Sequence, residues 1–210
     1  MTEKILQAIS DFKNGKMVVV IDDHDRENEG DLVMAAEKIT EEAITFMAKK
    51  ASGLICVAIT PELATKLELN LMTENNQESM KTAFTISVDA KHGTTTGISA
   101  YERALTILTM INPSAKAEDL VRPGHMFPLI AKDGGVFARR GHTEASIELT
   151  KIAGLFPAAV ICEIMNDSGK MVRGKELELF AENHNLCLIS IDEIVEYLEK
   201  SCLVQSSHQL

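Results

Sequence analysis

Apolar positions along the chain predict an alternation of helices and strands. Ile5, Leu6, Ile9 and Phe12 recur at helical spacing between Thr2, a cap, and Gly15, a stop. Met17 to Ile21 is an unbroken apolar run of strand length, and Leu32 to Ile39 reads as extended again. Thr40 with Glu41 and Glu42 opens a second helix that stops near Gly53. Leu54 to Ile59 is a short buried strand, and Thr60-Pro61 forms an N-cap and N1 pair. Leu71 to Met80 is polar and without period, hence a loop. Ala83 to Val88 sets Phe84, Ile86 and Val88 against Thr85 and Ser87, the alternation of a half-exposed strand. Capping boxes at Ser99–Glu102 and Ser190–Glu193 open two helices. The first runs to about Ile111, before Pro113, and the second follows a strand at Leu186–Ile189. Met126 to Ala131 and Val136 to Ala138 flank Asp133-Gly134-Gly135 and predict a hairpin. Thr143–Ala153 and Lys175–Asn183 read as helices, with a buried strand at Ala158–Met165 between them.

This alternation predicts an α/β (α+β) fold: a mixed, twisted sheet between helical layers. The expectation is a single domain over residues 1–210, with a frayed tail at about 205–210. A net charge of −10 argues against non-specific binding to nucleic acid. No apolar run approaches the roughly 20 residues that cross a bilayer, and the first residues lack a secretory layout. The four cysteines form no C-x-x-C pair, and three sit in apolar stretches, which fits reduced thiols in a cytoplasmic protein.

Three segments could carry chemistry. The first is Asp22-Asp-His-Asp-Arg-Glu-Asn-Glu-Gly-Asp31, with six carboxylates in ten residues. So many like charges repel in a compact state unless cations are held among them, and Arg26 is too few. A solvated acidic loop and a divalent-cation site both remain open. An EF-hand fails in either register: starting at Asp23 puts Asn28 where Gly is required, and starting at Asp25 puts Ala36 where the bidentate Glu belongs. The second is Arg139-Arg140-Gly141-His142-Thr143-Glu144 at a helix N-terminus, where N–H groups and the dipole favour an anion such as phosphate. A basic surface turn with a Thr cap reads equally well, and His142 is either a cap or a metal ligand. The third pairs His125, delivered by the rigid turn Arg122-Pro-Gly, with Glu163, a carboxylate inside an apolar strand. Such a carboxylate is either partnered in the interior, where burial suits it to acid/base work, or turned to water at an edge. Gly93-Thr-Thr-Thr-Gly97 adds a small-residue turn before a helix, which is either a close approach to a ligand or just a loop.

Together, Asp25-Arg-Glu-Asn-Glu-Gly-Asp31, Ser52-Gly53, Thr95-Thr-Gly-Ile-Ser-Ala100, Arg122-Pro-Gly-His125 with Phe127-Pro128, Gly141-His-Thr-Glu-Ala145 and Cys162-Glu163 resemble the 3,4-dihydroxy-2-butanone 4-phosphate synthases of riboflavin biosynthesis. They occur in family order over nearly the whole chain. The resemblance implies a cytoplasmic, homodimeric lyase that uses Mg2+ or Mn2+, a pair of ions per site, to convert D-ribulose 5-phosphate to L-3,4-dihydroxy-2-butanone 4-phosphate and formate. It implies Glu27 and His142 as metal ligands and His125 and Glu163 as catalytic groups. Arg26, Glu27, Asp31, Arg139, Arg140, Gly141, His142, Thr143 and Glu163 would bind substrate, and Cys56 would lie nearby. Two other readings use the same residues: a different metal-assisted sugar-phosphate isomerase or aldolase, and a non-catalytic metal- or phosphate-binding dimer. The chain departs from the family's usual residues at Glu102, commonly Asp, and Lys81, commonly Gly, while Arg140 stands at a variable position.

Overall fold

Seven strands join into one mixed sheet, and its order places the chemistry-bearing strand ends side by side. The computed structural model describes residues 3–207. The Thr2 cap and residues 208–210 of the expected tail lie outside the described residues. In chain order the elements are α1 (Glu3–Lys13), β1 (Val18–Ile21), β2 (Gly30–Ala35), α2 (Glu41–Phe46), β3 (Cys56–Ile59), α3 (Pro61–Lys66), β4 (Val88–Ala90), α4 (Ala100–Ile111), β5 (Leu120–Ile130), α5 (His142–Ala153), β6 (Ala158–Glu163), α6 (Lys175–His184), β7 (Cys187–Ser190) and α7 (Ile191–Ser207). The sheet order is β4-β5-β3-β6-β2-β1-β7. β1 with β7 and β3 with β5 are parallel; the other pairs are antiparallel. Among the described residues no helix is long and apolar enough to cross a membrane.

The period of two along each central strand sorts its side chains into two cores. Val19, Leu32, Met34, Val57, Val160 and Cys162 face Ile44, Met47, Ile107, Met110 and Leu177 from α2, α4 and α6 and the turn after α2. Val18, Val20, Val33, Cys56 and Ile161 face Ile5, Phe12, Leu149 and Ile194 from α1, α5 and α7. Burial on both faces explains why the central strands read as unbroken apolar runs. Helix starts follow their sequence signals. Thr40 and Thr60 accept the N–H of Ala43 and Leu63, and Ser99 with Glu102 forms the expected capping box. Ser190 and Glu193 exchange the same reciprocal bonds.

Four expectations are corrected. The segment Asp133-Gly134-Gly135 does not turn a hairpin: both glycines take positive φ and feed a short 3-10 turn at Gly135–Phe137 that leads to α5. The chain returns only after α5, as β6, which lies one strand away from β5 and pairs antiparallel with β3. Ala83–Val88 keeps Phe84 against a core and Val88 buried but reverses the expected faces between them. Thr85 is buried with its hydroxyl on the Pro128 carbonyl, Ser87 is buried under the Gly124 N–H, and Ile86 points outward. It forms isolated bridges through Phe84 and Thr85, and the strand proper is Val88–Ala90. Arg122-Pro-Gly-His125 is not a turn but part of β5, at the register shift between Val88 and Asp89. A Cβ on Gly124 would overlap the backbone of both residues, so only glycine permits this approach. Finally, the extended segment expected to Ile39 ends at Ala35 and gives way to a short 3-10 turn at Ala36–Lys38.

Candidate active site

The acidic segment leaves β1, loops out and re-enters the sheet as β2. Asp22 organises it: Oδ2 accepts the Glu27 N–H at 3.0 Å and Arg26 Nη1 at 2.9 Å, and Oδ1 accepts the Glu29 N–H at 2.9 Å. Both Asp22 oxygens are thus spent on the loop itself. Arg26 turns its other nitrogen to Glu27 at 3.2 Å. Asn28 sits at φ 53, a left-handed bend within the loop.

The N-terminus of α5 comes up against this loop. His142 is buried, with Nδ1 3.8 Å from both Glu27 Oε2 and Asp31 Oδ1. Burial pulls the His142 pKa down while Asp22 and Glu27 pull it up; the net shift is downward, towards the neutral imidazole that ligates metals. Asp31, on β2, lies directly across from Glu163 on β6. Burial, then the charges of Glu163, Glu27, Asp22 and Glu29, push its pKa far upward. Glu163 Oε2 accepts the Leu54 N–H at 2.8 Å, and a Cβ on Gly53 would fall 2.6 Å from that same oxygen. Gly53 therefore serves close packing against Glu163, while Ser52 takes the left-handed helix-end position at φ 65.

Glu27, Asp31, His142 and Glu163 line one cavity of about 250 Å3, together with Arg26, Glu29, Cys56, Glu78, Thr82, Arg139 and Thr143. Five carboxylates, from Glu27, Glu29, Asp31, Glu78 and Glu163, face two guanidinium groups. Arg139 is already engaged, giving Nη1 to Glu144 at 2.6 Å and Nη2 to Thr82 Oγ1 at 2.9 Å. Gly141 makes room for this: a Cβ there would press on Arg139 and lie 2.9 Å from Glu144 Oε2. Burial pushes the Cys56 thiol well up, so it is no ready nucleophile.

The donor set suits a divalent cation. Asp31 Oδ1 is buried with no hydrogen-bond partner, His142 Nδ1 stands 3.8 Å from it and from Glu27 Oε2, and ligand atoms of Asp22, Glu27 and His142 lie within 4.8 Å of one another. An orphaned carboxylate oxygen among other carboxylates is costly unless a cation satisfies it. Because Asp22 already accepts three hydrogen bonds, Glu27 and His142 are the freer ligands.

Three anticipated residues are not brought into this lining. Gly141 acts through its missing side chain. Arg140 turns away, giving Nε and Nη2 to Asp23 at 2.5 and 2.8 Å and reaching Asp192 as well. His125 stands on β5 with an exposed ring, its Nδ1 2.7 Å from Asp89 Oδ2 and its N–H on Asp89 Oδ1 at 2.8 Å. The glycine-bounded turn packs there too, since a Cβ on Gly97 would be 2.7 Å from His125 Nδ1. Asp89 and Glu78 escaped sequence reasoning. Asp89 had a signal, a carboxylate between the apolar residues of Val88-Asp-Ala90. Glu78 had none: it lies in a patternless loop, where burial is outweighed by the N–H groups of Met80 and Thr82 and by neighbouring hydroxyls, and its pKa falls to about 2.

Residues 6–197 match the family model described as 3,4-dihydroxy-2-butanone 4-phosphate synthase. A riboflavin biosynthesis protein RibBA of Aquifex aeolicus is 58% identical over 95% of this chain and 50% of its own length. A 3,4-dihydroxy-2-butanone 4-phosphate synthase of Neisseria meningitidis is 53% identical over 94% of this chain and 54% of its own length. The chain therefore spans about half the length of these relatives. A solved 3,4-dihydroxy-2-butanone 4-phosphate synthase in complex with two magnesium ions superposes with a TM-score of 0.89 at 46% identity, over 95% of this chain and 98% of that one. The chain belongs to the 3,4-dihydroxy-2-butanone 4-phosphate synthase family.

Proposed function

We propose that the chain is a lyase dependent on Mg2+ or Mn2+ that converts D-ribulose 5-phosphate to L-3,4-dihydroxy-2-butanone 4-phosphate and formate, for riboflavin biosynthesis. The observation that carries the reading is the unpartnered Asp31 Oδ1 with His142 Nδ1 3.8 Å from both it and Glu27 Oε2 in the acidic cavity. Family membership supplies the reaction, and the solved magnesium complex supports a pair of ions.

Glu27 and His142 would hold metal, whose Lewis acidity stabilises negative charge on substrate oxygens. Thr143, Arg139 and the first-turn N–H groups of α5, with Gly141 allowing close approach, would receive the phosphate. Arg26 and Asp31 would contact the sugar. Glu163 and Asp31 form a facing pair of carboxyls in which one is held towards its protonated form, the arrangement that lets one group accept a proton while the other gives one. The substrate's atoms are fully accounted for by the two products, so no oxidant or co-substrate is needed.

We further infer a homodimer in which His125 serves a site it does not reach within its own chain. Its ring is exposed, and Ile98, Tyr101, Leu108 and Val121 are exposed apolar neighbours along the β5 and α4 side. Tyr101 and Leu108 are two turns apart on one face of α4. A second copy packed there would cover this surface. We take the chain as one such domain acting in the cytoplasm, a reading supported by the free thiols of Cys56, Cys162 and Cys187.

Product analysis tests the reaction: incubation with D-ribulose 5-phosphate should yield a one-carbon acid. A pentulose isomer without formate would favour an isomerase, and bound ligand without any product would favour a non-catalytic role.

A further inference from the structure

Two arginines that do not line the cavity hold the acidic loop from outside. Arg140 Nε and Nη2 grip both oxygens of Asp23 at 2.5 and 2.8 Å, and Nη2 also meets Asp192 in the first turn of α7. Arg173, between β6 and α6, gives Nε to the Glu27 carbonyl at 3.3 Å and Nη2 to the Glu29 carboxylate. One anchor sits where the loop leaves β1 and the other where it approaches β2.

We propose that Arg140 and Arg173 are positioning residues that fix the acidic loop so that Glu27 faces His142; this rests on the metal-site reading above. Asp22 staples the loop from within, but two costs work against that shape. Its carboxylates repel one another, and Asn28 sits in the left-handed region. Arg140 is two residues before His142 in the chain, and Asp23 is four before Glu27. The Arg140–Asp23 contact therefore ties together the two halves of the candidate metal site, which lie more than a hundred residues apart in sequence. Arg173 neutralises Glu29 and holds the Glu27 backbone, leaving the Glu27 carboxylate to the cavity. An isolated surface ion pair would contribute little. Here one planar guanidinium spans two carboxylates from different elements, a geometry a lysine ammonium cannot reproduce.

The test uses the full chain and two readouts that do not involve turnover: Mn2+ titration, and hydrogen exchange of the Glu27 and Glu29 amides that donate to Asp22. Arg140→Ala and Arg173→Ala should each weaken Mn2+ binding about 10-fold to 100-fold, the range found when groups supporting metal ligands are removed. Both should also speed exchange at those amides. Arg140→Lys should restore only part of the loss; full restoration would reduce the role to charge and overturn the positioning claim. Unchanged Mn2+ affinity and exchange in the double variant Arg140→Ala/Arg173→Ala would also overturn it. A wild-type chain that binds Mn2+ and protects these amides but releases no formate contradicts the lyase reading only. Loss of both properties in the variants would then still support the two anchors.

Discussion

Asp31 and Glu163 face each other across the antiparallel pair β2–β6, two carboxyls in register with Asp31 fully enclosed. Like charges directly opposite in a sheet oppose folding, and neither Asp31 oxygen is offered an ion pair closer than the 3.8 Å to His142. The site is therefore assembled at a cost in stability that the cores on both sheet faces sustain.

Replacing Asp31 by Asn should stabilise the metal-free protein. The folded-state pKa of Asp31 lies above its ordinary 3.8, so folding takes up a proton. Stability is then full below about pH 3.8 and falls as pH rises through the folded-state value. Asp31→Asn should raise Tm at pH 7 by roughly 2 to 8 °C, with the gain vanishing below pH 4. Thermal melts across pH check this, and formate release should be lost.

Glu163→Gln should cost about 10²-fold to 10⁴-fold in turnover. The Gln carbonyl can still accept the Leu54 N–H, and a like charge facing Asp31 disappears. Tm should therefore hold or rise, and a fully active variant would remove Glu163 from the mechanism.

Gly53→Ala should displace Glu163, because the new Cβ would lie 2.6 Å from its Oε2 and 2.8 Å from its backbone nitrogen. A displacement of about 1 Å at a reacting group can lower turnover about 10²-fold. Formate assay and melting together check this, with both activity and Tm expected to fall.

Glu102→Gln tests a point away from the chemistry. Glu102 accepts the Thr95 N–H and hydroxyl and closes the Ser99 capping box, which brings its pKa down to about 2 from an ordinary 4.5. That contribution is present above about pH 4.5 and is lost as pH falls to about 2. The variant should melt below wild type at pH 7, and the two curves should converge between pH 4.5 and 2.

Much of this was legible in the chain. Helix caps at Thr40, Thr60, Ser99 and Ser190 announce themselves because capping is local, and the central strands do so because burial on both faces leaves unbroken apolar runs. The acidic loop and the turn before α5 were each ambiguous separately, and the family resemblance joined them. Less legible were features set by distant partners. Thr85 and Ser87 are buried because β5 satisfies their hydroxyls. Asp22 gives no sign in sequence that it staples its own loop. Lys81 stands at φ 58, in the left-handed region where the family commonly has Gly, with its ammonium on the Asn76 carbonyl. The loop thus keeps a glycine-like bend despite the substitution.

In the proposed lyase, a cation held between Glu27 and His142 is required for breaking the carbon–carbon bond. The direct measurement is formate released from D-ribulose 5-phosphate by the chain stripped with a chelator and then resupplied with Mg2+ or Mn2+. Release should stop on stripping and return with either ion. Formate output unaffected by the chelator, or absent with both ions, would contradict the account.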